Sequence, residues 1–155
     1  MHSTFRSISL FALLSIWGLV LPPQAQAQPN SGSVGIGLQL GQPSGLSLGV
    51  YKPSGMALDV LAAWNLNDFL YLNAHGLFST GDASPFRLFY GPGVYVGLYE
   101  RGNAEDQIAA GLSATGGVSI FIGSFEIYGR VTPRLLLISQ TDVAIGGGLG
   151  LRLYL

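Results

Sequence analysis

The chain has 155 residues, a formal net charge of −1, 48% hydrophobic residues, 23 glycines and no cysteine. The lack of cysteine excludes disulfides, thiolate metal sites and a lipid-modified cysteine anchor. Only one lysine, Lys52, follows the N-terminal stretch, with five arginines and eight acids. That is too little charge for the hydrated exterior of an ordinary soluble domain, and it leaves no basic patch for nucleic acid.

The first segment is read as an address. Met1–Ser7 carries Arg6, and Ile8–Leu21 is an uncharged apolar run. Pro22-Pro23 breaks that run, and Ala25-Gln26-Ala27 has the small-x-small form of a signal-peptidase site. The expectation is a secretory signal peptide over residues 1–27. The apolar run falls short of the ~20 residues a membrane-spanning helix needs. What remains, residues 28–155, is one domain. No later apolar run is long enough for a helix across a bilayer, so a membrane location requires a closed barrel of strands.

From there on, apolar residues occupy every second position, the mark of strands with two unlike faces. The predicted strands, in chain order, cover about 33–40, 45–52, 56–64, 69–78, 86–100, 107–122, 125–139 and 142–155. Val34, Ile36, Leu38 and Leu40 alternate with Ser33, Gly35, Gly37 and Gln39 in the first. Leu70 and Leu72 alternate with Tyr71, Asn73 and His75 in the fourth. Leu149, Leu151, Leu153 and Leu155 alternate with Gly150, Arg152 and Tyr154 in the last. Turn-forming stretches such as KPSG, STGDASP and Gly123-Ser124 separate them. Eight such strands make the smallest common transmembrane barrel, apolar outside and polar inside. Pro92 and Pro133 fall within strands five and seven, where a missing ladder donor predicts a bulge or a local break.

The same alternation turned inside out describes a soluble barrel with a greasy pocket. The polar faces argue against that reading. Strands one, six and eight offer mostly Gly, Ser, Ala and Thr there, which suits a narrow lumen better than a hydrated exterior. Strand five supplies the large residues Phe89, Tyr95 and Tyr99. An eight-stranded barrel is just wide enough for side chains to fill it.

Gly150-Leu-Arg-Leu153-Tyr-Leu155 reads Gly-x-x-apolar-x-apolar at the end of the sequence. It resembles the C-terminal signal by which the barrel-assembly machinery recognises outer-membrane proteins, although Leu155 stands where phenylalanine is usual. GQPSGLSLGVY with ALDVLAAWN, FEIYGRVTPRLLLI and GGGLGLRLYL together resemble a family of small outer-membrane barrels catalogued as a domain of unknown function. That resemblance implies the architecture of OmpA-type and OmpX-type transmembrane domains in the outer membrane of a Gram-negative bacterium, surrounded by lipid. It implies no activity.

Enzymes of this shape that act on lipid A need Ser and His near the outer leaflet. Residues 28–155 contain one histidine, His75. With both termini in the periplasm, His75 points into the lumen towards the periplasmic end, away from the outer-leaflet lipid. One histidine with Asp59 or Glu126 is a poor metal set, so no metal or cofactor is expected. The same topology places Asp59, Arg87, Glu126, Arg130 and Arg152 inward at a similar level. The expectation is an ionic cluster of Asp59, His75, Arg87, Glu126, Arg130 and Arg152, because buried charges left unpaired cost several kcal/mol each. Arginines outnumber acids in this set, a surplus the sequence does not explain. Above it, Phe69, Tyr71, Tyr95 and Tyr99 are expected to plug the lumen. The extracellular turns, at 41–44, 65–68, 101–106 and 140–141, are short, with RGNAED the one able to make a small contact. The resulting expectation is a monomeric, non-enzymatic barrel with a structural or interaction role. A narrow channel for ions or small solutes is the first alternative, and a periplasmic lipid-binding barrel the second.

Overall fold

The computed structural model describes residues 28–65, 69–80, 86–101, 104–138 and 141–155. The signal-peptide reading of 1–27 lies outside them, as do the tips of several turns. Eight strands follow one another: β1 (Val34–Gln42), β2 (Gly45–Val50), β3 (Ala57–Asn65), β4 (Phe69–Thr80), β5 (Phe86–Arg101), β6 (Ala104–Ile122), β7 (Phe125–Leu136) and β8 (Asp142–Tyr154). Each pairs antiparallel with the next, and β1 pairs with β8 to close the barrel. Closure leaves no strand edge unpaired, which is the condition for crossing a bilayer with strands.

Side-chain direction follows the alternation. Ile36, Leu38, Leu48, Leu58, Leu72, Val94, Leu112, Ile127 and Leu151 are exposed on the outer wall, while Gln39, Ser47, Asp59, Asn73, His75, Ser113, Glu126 and Arg130 are buried inside. A hydrophobic exterior around a polar, charged interior reverses the arrangement of a soluble protein. Among the described residues the buried inward face is largely polar and charged, unlike the apolar lining of a lipid-binding barrel.

The two internal prolines are accommodated without a bulge. Pro92 pairs with Ala114 on one side, and Pro133 pairs with Ile145. On the other side, the β4–β5 ladder skips Gly76-Leu77 opposite Gly91-Pro92 and resumes in the same register. The β6–β7 ladder likewise skips Ala114-Thr115 opposite Thr132-Pro133. Each proline therefore opens a local gap towards one neighbour, where its missing N–H would have donated. Thr115 fills part of the second gap: its Oγ1 donates to Val131 O at 3.3 Å and lies 3.0 Å from Thr132 Oγ1. The one register shift along β5–β6 occurs instead near their tip, between Tyr99 and Arg101. Gly123, at φ +63°, makes the tight β6–β7 turn that the Gly-Ser pair predicts.

Candidate functional site: the charged lumen

β3, β7 and β8 bring the charged residues together from distant parts of the sequence. Asp59 faces His75 across the β3–β4 ladder, and Glu126 faces Arg152 across β7–β8. Asp59 is the hub. Its Oδ1 accepts from Arg130 Nη1 at 2.5 Å, and its Oδ2 accepts from Arg152 Nη2. Arg152 also reaches Glu126 at 3.2 Å, and Tyr154 donates its hydroxyl to the same carboxylate oxygen at 2.8 Å. All these side chains are buried.

Neutral groups complete the network. Gln39 Oε1 accepts from Arg130 Nε at 2.6 Å. Ser47 Oγ accepts from Arg152 Nε at 2.8 Å and from the Tyr128 hydroxyl at 2.9 Å. The Tyr128 ring underlies both guanidinium groups, 4.4 Å from Arg152 Cζ and 5.4 Å from Arg130 Cζ. Gln39, Ser47 and Tyr128 have inward parity, but nothing in their residue types marks them as partners of these arginines. Only the register across three strands reveals it.

His75 lies beside this cluster. Its Nδ1 is 3.8 Å from Asp59 Oδ1, too far for a hydrogen bond, and its Nε2 is 3.1 Å from Ser113 Oγ. The order Asp59, His75, Ser113 has the residue types of a hydrolase relay. The contacts extend it into a wider buried network: Ser113 Oγ donates to Asn73 Oδ1 at 3.0 Å, and Asn73 Nδ2 donates to the Tyr71 hydroxyl at 2.8 Å.

Arg87 is the member of the expected set that is not brought into the ion-pair network. It sits nearer the end that carries the termini, its Cζ 4.9 Å from the Tyr51 ring and 5.5 Å from the Phe121 ring. Its Nη2 donates to Ser79 Oγ at 2.6 Å and to the carbonyls of Lys52 and Pro53 at 3.3 and 3.4 Å. The physical reason is register. Arg87 pairs with Ser119, whereas Asp59 is level with His75 and Gly93, further along the barrel.

At the opposite end of the lumen, Tyr71 and Tyr95 pack with ring centroids 5.8 Å apart, against Leu61 and Ala63. Arg134, absent from the sequence-derived set, lies over both rings at 5.3 and 6.0 Å. The side chains of Phe69 and Tyr99 lie outside the described residues.

Gly150 has a packing role here. A Cβ at this position would run into the ring of Tyr128. Gly150→Ala is expected to displace Tyr128 from Ser47 and cost about 1–3 kcal/mol by overpacking. The unfolding midpoint of the refolded barrel in urea measures this, and an unchanged midpoint would mean that the ring has room to move.

No family model matches the chain, and no curated protein matches it. Two solved structures do. One is the N-terminal β-barrel domain of Pseudomonas aeruginosa OprF, with a TM-score of 0.65 at 15% identity, over 81% of this chain and 98% of that one. The other is Neisserial surface protein A (NspA), with a TM-score of 0.51 at 14% identity, over 79% of this chain and 95% of that one. At these identities the likeness is one of fold: the chain is a closed eight-stranded antiparallel barrel of the architecture seen in both.

Proposed function

We propose that the chain is a small outer-membrane β-barrel protein with a non-enzymatic, structural or interaction role and a packed, closed lumen. The observation that carries this reading is the inverted wall. Leu, Val, Ile and aromatic side chains are exposed on all eight strands, while arginines and carboxylates are buried between them. Such an exterior is stable against lipid and unstable in water. In this reading residues 1–27 are a cleaved export signal, the termini face the periplasm and outer-membrane lipid surrounds a monomer. Gly150, Leu153 and Leu155 present the closing strand to the barrel-assembly machinery.

The test is fractionation with gel mobility. The protein is expected in the outer-membrane fraction and should change mobility between unheated and heated samples, as folded barrels do. A soluble protein without such a shift would sink the membrane reading. A separate measurement addresses the lumen. The Tyr71–Tyr95 pair with Arg134 above the Asp59 cluster supports a blocked route, so a planar bilayer holding the protein should show no steady conductance. Stable ion currents would replace the closed lumen with a narrow channel.

A further inference from the structure

The lower lumen holds more positive charge than its acids can answer. Arg130 and Arg152 share Asp59, and Arg152 also takes Glu126. Arg87 is buried, yet among the described residues no carboxylate lies within ion-pair distance of it. One hydroxyl and two carbonyls hold its Nη2, and its Nε has no hydrogen-bond partner. Arg130 likewise leaves Nη2 without a partner. A buried cation without a counter-charge is costly, so an opposite charge at that place is strongly stabilising.

Both arginines border the same cavity, at the end of the barrel that carries the termini. Its volume is about 40 Å³, and Ser119, Tyr154 and Lys52 also line it. By the usual ~10–15 Å³ per enclosed water, that is room for about three waters, or for a compact ion in their place. Lys52, the only lysine of the chain, is exposed in the β2–β3 turn at the same cavity. The cavity lining carries Arg87, Arg130, Arg152 and Lys52 against Asp59 and Glu126.

We propose that this cavity is a binding site for a small oxyanion of the phosphate type, which serves as counter-ion to Arg87 and takes the spare donor of Arg130. Guanidinium groups present planar forks of donors that match oxyanion geometry. Lys52 draws the anion to the mouth by charge, an effect that salt weakens. The site explains why arginine exceeds acid in this lumen: part of the neutralising charge comes from outside the chain. Phosphate chemistry has two sources at this location, free phosphate in solution and the headgroup of a lipid in the adjacent leaflet.

The experiment uses the refolded protein in uncharged maltoside micelles, titrated with inorganic phosphate at constant ionic strength set by chloride. Binding is followed by phosphorus NMR line broadening and by calorimetry. The expected result is saturable binding of one phosphate per barrel. Arg87→Gln should weaken binding about tenfold or more through loss of charge-assisted donors. Lys52→Ala, on an exposed turn, leaves the barrel intact and should weaken binding about threefold by loss of attraction alone. If Arg87→Gln does not refold, the wild-type and Lys52→Ala titrations decide. A short-chain phosphatidic acid added to the micelles separates the sources: tighter binding than inorganic phosphate assigns the lipid headgroup, weaker binding the free ion. No saturable binding to wild type overturns the proposal. So does equal affinity in a folded Arg87→Gln barrel or, where that variant does not refold, in the Lys52→Ala barrel.

Discussion

Asp59→Ala is expected to lower the urea midpoint of the refolded barrel more than any other single lumen substitution. Asp59 alone accepts from two buried arginines, Arg130 and Arg152. Its removal leaves Arg130 with only the neutral Gln39 among its hydrogen-bond partners, and Arg152 with Glu126 and Ser47. Breaking a buried pair typically costs about 3–5 kcal/mol, because the remaining charge is uncompensated. The double substitution Asp59→Ala with Arg130→Ala removes both sides of one pair and should cost less than the two single losses added, by about 1–3 kcal/mol. Arg87→Ala with Asp59→Ala should couple more weakly than the Asp59–Arg130 pair, because Arg87 shares a cavity with Asp59 but makes no hydrogen bond or ion pair to it among the described residues. Strict additivity for Asp59 and Arg130 would refute the coupling while leaving the barrel standing. Strong coupling for Arg87 would place that residue in the cluster after all.

The sequence carries the barrel because the side-chain period of a strand is two, and a one-residue slip would turn every outward-facing leucine inward. The alternation therefore states direction position by position, as the outward Leu149, Leu151 and Leu153 and the inward Gly150, Arg152 and Tyr154 illustrate. Strand limits were less legible. β6 begins at Ala104 rather than near 107, where the polar run Glu105-Asp106-Gln107 carries no alternation, and β7 ends at Leu136 rather than near 139, where Leu135-Leu136-Leu137-Ile138 is apolar at every position and the N–H groups of Leu137 and Ile138 both turn to Ala110 O. Distance along the barrel was the least legible property. Parity says that Arg87 points inward, but stagger between strands decides which inward residues share a level, and stagger is a property of the closed sheet. The same limit hid Gln39, Ser47 and Tyr128. Each is an ordinary polar or aromatic residue until β1, β2 and β7 set them around Arg130 and Arg152. The prolines are legible as disturbances, and of the two forms expected, bulge or local break, both take the second: a gap towards one neighbour with the register kept beyond it.

Leu153→Asp together with Leu155→Asp is expected to abolish accumulation of the protein in the outer membrane. The argument turns on separating assembly from stability. Leu153 sits on the outer wall between Ile36 and Phe125, and Leu155 is 78% exposed at the end of the closing strand. Both lie at the end of the barrel that carries the termini, which in the proposed outer-membrane setting is near the lipid–water interface rather than the bilayer midplane. Acidic residues there cost little, about 0–1 kcal/mol each. The backbone hydrogen bond from Leu155 N–H to Val34 O, at 3.0 Å, does not depend on the side chain. The finished barrel should therefore tolerate the change, and the doubly substituted protein refolded in detergent should keep its heat-dependent mobility, with a midpoint within ~2 kcal/mol of wild type. In cells the same protein should be missing from the outer membrane and degraded in the periplasm, because the proposed recognition of the closing strand needs apolar side chains at those two places. Normal levels of heat-modifiable protein in the outer membrane would remove recognition from the roles of Leu153 and Leu155. Failure to refold in detergent as well would assign both leucines to barrel stability, and Gly150 would then stand beside them for its packing against Tyr128 alone.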